Sequence, residues 1–194
     1  GVLYALSIED GRVLNSAESS DSVSYYHTVG YACGKIIDDV MGNVYDLDLK
    51  PLYKIKPTNC AMEHNGFIYA FSDDKVMKYS PEPGIDMEED GKTKKNLQAN
   101  EISGISPYGA WGQTVAPKFV GDYVYTMQAI VTFNDPDYGR IFVNAANLST
   151  GEKKTIELTG MRYRFIDDTC FSYYGGYLYV TSYTKGIFNK ADDR

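Results

Sequence analysis

Apolar residues along this chain alternate with polar ones over short runs, and nowhere do they keep a three-to-four spacing for three turns. That is the pattern of strands with two distinct faces, so the sequence predicts an all-β fold with helix nearly absent. The runs also begin alike. A glycine leads through an apolar residue to a tyrosine in Gly1-Val-Leu-Tyr4, Gly42-Asn-Val-Tyr45, Gly66-Phe-Ile-Tyr69, Gly121-Asp-Tyr-Val-Tyr125 and Gly176-Tyr-Leu-Tyr179. A glycine at a tight turn, feeding a strand of large apolar and aromatic residues, is the local chemistry of a β-meander, and its recurrence predicts that the meander is reused. Tyr45, Tyr69, Tyr125 and Tyr179 are then expected at equivalent positions of successive repeats.

The order of runs repeats as well. Gly34-Lys-Ile-Ile37 is followed by Gly42 to Asp48 and by Leu52-Tyr-Lys-Ile55. Gly66 to Phe71 is followed, across Asp73-Asp74, by Lys75 to Tyr79. A longer copy runs Gly121 to Met127, Gly139 to Val143 and Lys154 to Leu158, and a partial one runs Gly176 to Tyr183 and Gly186-Ile-Phe188, with Arg164 to Phe171 as its opening strand. Short strands separated by Gly, Asp, Asn and Pro turns read as blades of a β-propeller. The strand count gives the last two strands of a blade at the start, three fuller blades, and the first strands of another at the end. The expectation is one domain over residues 1–194, either a closed ring of about four blades completed by strands from both termini or a segment of a larger propeller. Self-association through open blade edges is a possible consequence of the second case.

Two segments resemble a known family. Leu3-Tyr4-Ala5-Leu6-Ser7-Ile8-Glu9-Asp10-Gly11 and Ala146-Asn147-Leu148-Ser149-Thr150-Gly151-Glu152-Lys153 are similar to the strand and Thr-Gly turn of the quinoprotein-alcohol-dehydrogenase-like, or PQQ-like, β-propeller repeats. The resemblance implies propeller blades and a secreted or bacterial cell-surface location. It departs from the family where the docking tryptophan belongs, since Asn15 and Thr155 hold those positions, and other Tyr-rich bacterial surface repeats remain equally open. The family's quinone site uses adjacent cysteines and a tryptophan beneath the cofactor. With no adjacent cysteine pair and one tryptophan, the resemblance carries over as fold, and no cofactor is expected.

Charge and composition narrow the classes further. A net charge of −7 disfavours nucleic acid, which requires clustered cations. Lys92, Lys94 and Lys95 follow Glu88, Glu89 and Asp90, which reads as a solvated turn. No stretch is apolar for long enough to insert into a bilayer as a helix. The opening at Gly1, without Met, reads as a processing boundary. Cys33, Cys60 and Cys170 form an odd set without CxxC spacing, and each reads as a buried structural thiol.

No catalytic residue is nominated. His27 and His64 are the two histidines; His64 follows Glu63, but neighbours on a strand point to opposite faces and rarely serve one site. No nucleophile elbow, HExxH or phosphate-cradling loop occurs. Asn134-Asp-Pro-Asp137-Tyr-Gly139 begins like a calcium loop yet lacks its later ligands, so it reads as turn chemistry and no metal is expected. The acid pairs Asp38-Asp39, Asp73-Asp74 and Asp167-Asp168 read as solvated turns, and the Asn147-Leu-Ser149 sequon carries no function. The residues nominated for ligand binding are Tyr108 and Trp111, set among Gly109 and Gly112, together with Tyr25 and Tyr26; Tyr173-Tyr174 admits the same reading. Aromatics in loops offer large contact area at small rotamer cost, for a protein or carbohydrate partner.

The sequence thus reads as a non-catalytic, extracellular binding module for protein or glycan. The alternative is an enzyme with its site in a propeller funnel, a divergent quinoprotein or a glycan-processing enzyme; a third is a structural assembly segment. Reconstitution with pyrroloquinoline quinone and calcium separates the first two: the binding module is expected to yield no stoichiometric quinone chromophore in the absorbance spectrum and no dye-linked alcohol oxidation.

Overall fold

A computed structural model of the chain describes residues 2–18, 29–58, 60–72, 75–87, 94–96, 99–103, 117–129, 140–162 and 170–181. Among these residues there is no helix, and none can cross a membrane as a helix. Two compact units divide the chain, residues 1–103 and 104–194.

In the first unit the strands are β1 (Val2–Leu6), β2 (Val13–Glu18), β3 (Val29–Ala32), β4 (Lys35–Asp38), β5 (Asn43–Tyr45), β6 (Pro51–Lys54), β7 (Cys60–His64), β8 (Phe67–Ser72), β9 (Lys75–Tyr79), β10 (Ile85–Met87), β11 (Lys94–Asn96) and β12 (Ala99–Ser103). β1 and β2 form a hairpin. β3, β4, β5 and β6 form an antiparallel meander in chain order. β7, β8, β9 and β12 form a second one, with β12 beside β9. The intervening β10 and β11 leave that meander and add to the first sheet, β11 running parallel to β6.

Register explains the core. Gly30, Ile37, Val44 and Tyr53 lie opposite one another across the first sheet and therefore share a face. Ala61, Ala70 and Met77 do so on the second sheet, as do Ile68 and Tyr79 one pleat along. These two faces make a single buried cluster with Ala32 and Ile55. Each fully buried aliphatic chain there stabilises the fold by about 1.5–3 kcal/mol. The two backbones come closest at their first strands, β3 and β7. A Cβ added at Gly30 would sit 2.9 Å from the Ala61 carbonyl oxygen and 3.3 Å from Ala61 Cβ.

The outer faces are apolar too. On the first sheet the Tyr45 hydroxyl donates to the Glu18 carbonyl at 3.2 Å, and Asn15 Nδ2 donates to the Asp48 carbonyl, so the β1–β2 hairpin lies against that side. On the second sheet the face away from the shared cluster carries Tyr69, Phe71 and Val76, all buried. Sheets buried on both faces belong to a stack of layers and not to a single two-layer sandwich.

In the second unit β13 (Lys118–Val120), β14 (Tyr123–Ala129), β15 (Arg140–Asn147) and β16 (Lys153–Arg162) form a third meander, and β17 (Cys170–Tyr174) and β18 (Tyr177–Thr181) a hairpin. In β14 and β15, Val124 and Ala146 are buried on one face and Met127, Ile141 and Val143 on the other.

The repeat can now be stated by position. In four of the sheets the first and second strands meet at a two-residue turn, with Ala32 opposite Lys35, His64 opposite Phe67, Val120 opposite Tyr123 and Tyr174 opposite Tyr177. Counted from these turns, Ile37, Tyr69, Tyr125 and Tyr179 are equivalent, each third in a second strand. Tyr45 is not among them. It lies in the third strand β5, because Gly42 belongs to the turn between β4 and β5. That glycine has its own constraint: with φ at +68°, its Cα faces the chain leaving β6, so that a Cβ would stand 2.2 Å from the Ile55 carbonyl oxygen. Gly34 has φ of +73° but open space around it. Both Gly→Ala changes are therefore expected to destabilise, with Gly42→Ala costing roughly 1–3 kcal/mol more than Gly34→Ala, because only the former adds a backbone clash to left-handed strain. Urea unfolding of the two variants checks this.

Candidate functional site

In an antiparallel meander the turn between second and third strands emerges at the same end as the connection from a fourth strand to the next first strand. The opposite end carries the first-to-second and third-to-fourth turns. In the first unit the former end is described for the turn 39–42 and the connection 55–58.

These two pieces are hydrogen-bonded into one structure. The Gly42 amide donates to the Asp38 carbonyl at 2.7 Å, the Ile55 amide to the Gly42 carbonyl at 2.8 Å, and the Thr58 amide to the Asp39 carbonyl at 2.8 Å. Thr58 Oγ1 donates onward to the Phe71 carbonyl at the end of β8. Thr58 thereby ties the turn of one sheet to the second strand of the next. Folding the connection over the turn also buries Asp38 and Asp39, which corrects the expectation of a solvated acid pair. The Met41 amide donates to Asp38 Oδ1 at 3.3 Å. Burial, and then the nearby Asp39 carboxylate, push the Cys60 thiol up to about 12, so it is held as a neutral packing group and not as a nucleophile.

The other end is differently made. Cys33 sits in a turn with φ of +53°, not in a strand. Its amide donates to Glu63 Oε2 at 2.7 Å, and its thiol is raised by burial and by Glu63. Lys35 Nζ meets Glu82 at 2.7 Å, and the Tyr53 hydroxyl donates to the Pro81 carbonyl at 3.1 Å. Burial, and then Glu82, raise the Tyr53 phenol. Glu63 and His64 point to opposite faces, Glu63 in the row of Ile68 and His64 in the row of Phe67. His64 stands edge-on to Tyr69, with Nε2 3.1 Å from Asn65 Nδ2. The pair does not form a dyad.

Of the residues nominated for binding, Tyr25, Tyr26, Tyr108 and Trp111 lie outside the described residues, as do His27, Asp73-Asp74, Asp167-Asp168 and the loop Asn134 to Gly139. In chain order Tyr25 and Tyr26 stand between β2 and β3, and Tyr108 and Trp111 between β12 and β13, as 55–58 stands between β6 and β7. In chain order residues 73–74 stand between β8 and β9, and residues 130–139 between β14 and β15. Among the described residues no three His, Cys, Asp or Glu side chains gather as a metal site.

The face of the β17–β18 hairpin that carries the nominated Tyr174 also carries Tyr177 and Tyr179, which sequence reasoning did not nominate; the three are exposed by 78%, 68% and 54%. The rings of Tyr177 and Tyr179 are 6.5 Å apart. Its signal in the sequence was the i, i+2 spacing of Tyr177 and Tyr179 after a Gly-Gly turn. No protein-family model matches the chain, and no curated protein or solved structure matches it.

The raised Cys60 thiol has a pH consequence. Unfolded, the thiol ionises near its ordinary value of 9.0, and folded it holds its proton to about 12. Below the lower value both states are protonated and its contribution is fully present. Above it the unfolded chain binds fewer protons, so stability falls as pH rises toward 12. Cys60→Ala is expected to flatten that alkaline loss in denaturation midpoints measured across the window, and the native thiol is expected to resist alkylation that the unfolded chain undergoes.

Proposed function

We propose that the chain is a β-propeller-type binding module of the secreted or cell-surface kind, which engages a protein or glycan through the connections that enter its first strands. The propeller reading draws support from four-stranded meanders buried on both faces, and from the closest approach of the first two sheets at their first strands, as in blades set around an axis.

One observation carries the binding reading: Tyr25 and Tyr26 stand in the chain between β2 and β3, and Tyr108 and Trp111 between β12 and β13, both places where the chain passes from one sheet to the next, the class to which 55–58 also belongs. The described member of that class, around Thr58, is anchored by backbone hydrogen bonds to the neighbouring turn. A scaffold of this kind holds variable loops on rigid strands, the usual division of labour in recognition proteins. Tyr and Trp rings supply flat apolar area for the faces of sugar rings or for anchor pockets on a protein. The net charge of −7 favours neutral or cationic partners over anionic ones.

The test is the pair Tyr108→Ala and Trp111→Ala, assayed on a glycan array and against surface proteins by biolayer interferometry. Binding is expected to be lost while the unfolding free energy changes by well under the roughly 3–5 kcal/mol that emptying a buried aromatic site costs. Since Trp111 is the only tryptophan, its fluorescence reports directly. A blue-shifted emission insensitive to aqueous quenchers, with binding intact in the double variant, would overturn the assignment.

A further inference from the structure

Asn65 and Gly66 form the turn between β7 and β8, and they are the one Asn-Gly pair in the chain. The ladder closes at His64 opposite Phe67, so the turn has two residues. Both stand in the left-handed region, Asn65 at φ of +49° and Gly66 at +75°, the hairpin geometry for which Asn-Gly is the favoured sequence. The same pair has a chemistry of its own. A backbone amide nitrogen that follows asparagine can attack the side-chain amide carbon and close a five-membered imide, and glycine in the following place puts no side chain in the way. Here both residues are exposed, and a Cβ added at Gly66 would meet nothing within 4 Å.

The group beside the amide sets this turn apart from an ordinary Asn-Gly pair. His64 Nε2 stands 3.1 Å from Asn65 Nδ2, the nitrogen that must leave. The imidazole is edge-on to Tyr69, with ring centroids 6.0 Å apart, and Tyr69 is itself buried, so the ring rests on a fixed support. A proton donor within about 2.6–3.2 Å of a leaving nitrogen meets the geometric condition for general acid catalysis.

We propose that Asn65–Gly66 is a self-modification site, at which the Gly66 amide nitrogen displaces Asn65 Nδ2 as ammonia while His64 supplies the proton that the departing nitrogen needs. Atoms and charge balance through the sequence. The Gly66 nitrogen gives its proton to solvent and bonds to Asn65 Cγ. In the tetrahedral adduct Nδ2 is an amine and no longer an amide, so it takes a proton from the imidazolium form of His64 and leaves as ammonia when the Cγ–Nδ2 bond breaks. The ring recovers its proton from solvent. Water then opens the imide at one carbonyl or the other and leaves aspartate or isoaspartate at position 65.

The two products differ in what they do to the sheet. Aspartate keeps the backbone and, like asparagine, tolerates the left-handed region. Isoaspartate routes the chain through the side-chain carbon and so adds a backbone atom to a two-residue turn. The register from His64 opposite Phe67 to Cys60 opposite Phe71 is set at that turn, and β7 carries Ala61 to its close approach with Gly30. The isoaspartate form is therefore expected to unfold at lower urea than the parent chain.

The test follows the folded full chain at neutral pH and physiological temperature. Peptide mapping by mass spectrometry is expected to show, at Asn65, the mass gain of an amide turned acid, and a protease that cleaves before aspartate but not before isoaspartate divides the two products. His64→Gln and His64→Phe are each expected to slow the gain at least about tenfold. The first keeps a hydrogen-bonding side chain beside Asn65, the second an aromatic ring against Tyr69, and urea midpoints establish that both are folded before incubation starts. A merely structural role for His64 predicts the opposite direction, since a loosened hairpin lets the amide reach attack geometry more often. Asn65→Gln, which would have to close a six-membered ring, should show no gain at position 65. A folded chain that gains no mass at Asn65, or one that gains it as fast or faster in both His64 variants, would overturn the proposal. Neither result bears on ligand binding by Tyr108 and Trp111.

Discussion

The close approach of β3 to β7 at Gly30 and Ala61 is the constraint on which the first unit depends. Two sheets can share a core of Ile37, Val44, Ile68 and Tyr79 only if their backbones come near enough for the side chains to meet without voids. At the first strands that separation is set by residues with almost no side chain. A larger residue at Gly30 would push against the Ala61 carbonyl, and the error would propagate across every row of the core, because the register fixes all of them together. The hydrogen bonds through Thr58 and Asp39 then hold the same two sheets at one end, where the chain passes from one meander to the next.

This anchoring bears on what the loops can do. A connection whose backbone donors are spent on the neighbouring turn cannot drift, and any side chain it projects is placed by the sheets. Among the described residues the thiols of Cys33 and Cys60 are both shifted toward the neutral form by burial.

Much of the strand pattern was legible. The run Lys75 to Tyr79 coincides with β9, and Gly66 to Phe71 with the turn and body of β8, because period-two alternation bounded by glycine turns is a local signal. The Asn147 to Gly151 turn was likewise readable from its side chains. What failed was long-range. Gly42-Asn-Val-Tyr45 has the local form of the repeat, but the form does not say which turn of the meander it starts, and there glycine is demanded by Ile55, thirteen residues later in the chain. Asp38 and Asp39 read as solvated because acid pairs at strand ends normally are; the connection that covers them comes from beyond β6. β10 and β11 were missed because Ile85-Asp-Met is too short for its alternation to stand out and Lys94-Lys-Asn carries none, the place of β11 being set by the edge of β6. The nominated Tyr25, Tyr26, Tyr108 and Trp111 lie outside the described residues, and Tyr177 and Tyr179 joined the nominated Tyr174 on one face of β17–β18 only once the two strands were in register.

The excursion of β10 and β11 has a consequence for how the first unit comes apart and together. Nearly every other pairing in this unit joins strands adjacent in sequence, so each hairpin can zip locally within microseconds. The pairing of β11 with β6 cannot. It requires the first meander to exist as a template and the chain to have already left the second, which makes it a late event in assembly. Once made, it acts as a strap: the segment leaves β9, crosses to the outer edge of the first sheet and returns as β12. Peeling the two sheets apart then means breaking both edges in one step. The strap thus converts two small meanders, each of limited size, into a single cooperative unfolding unit.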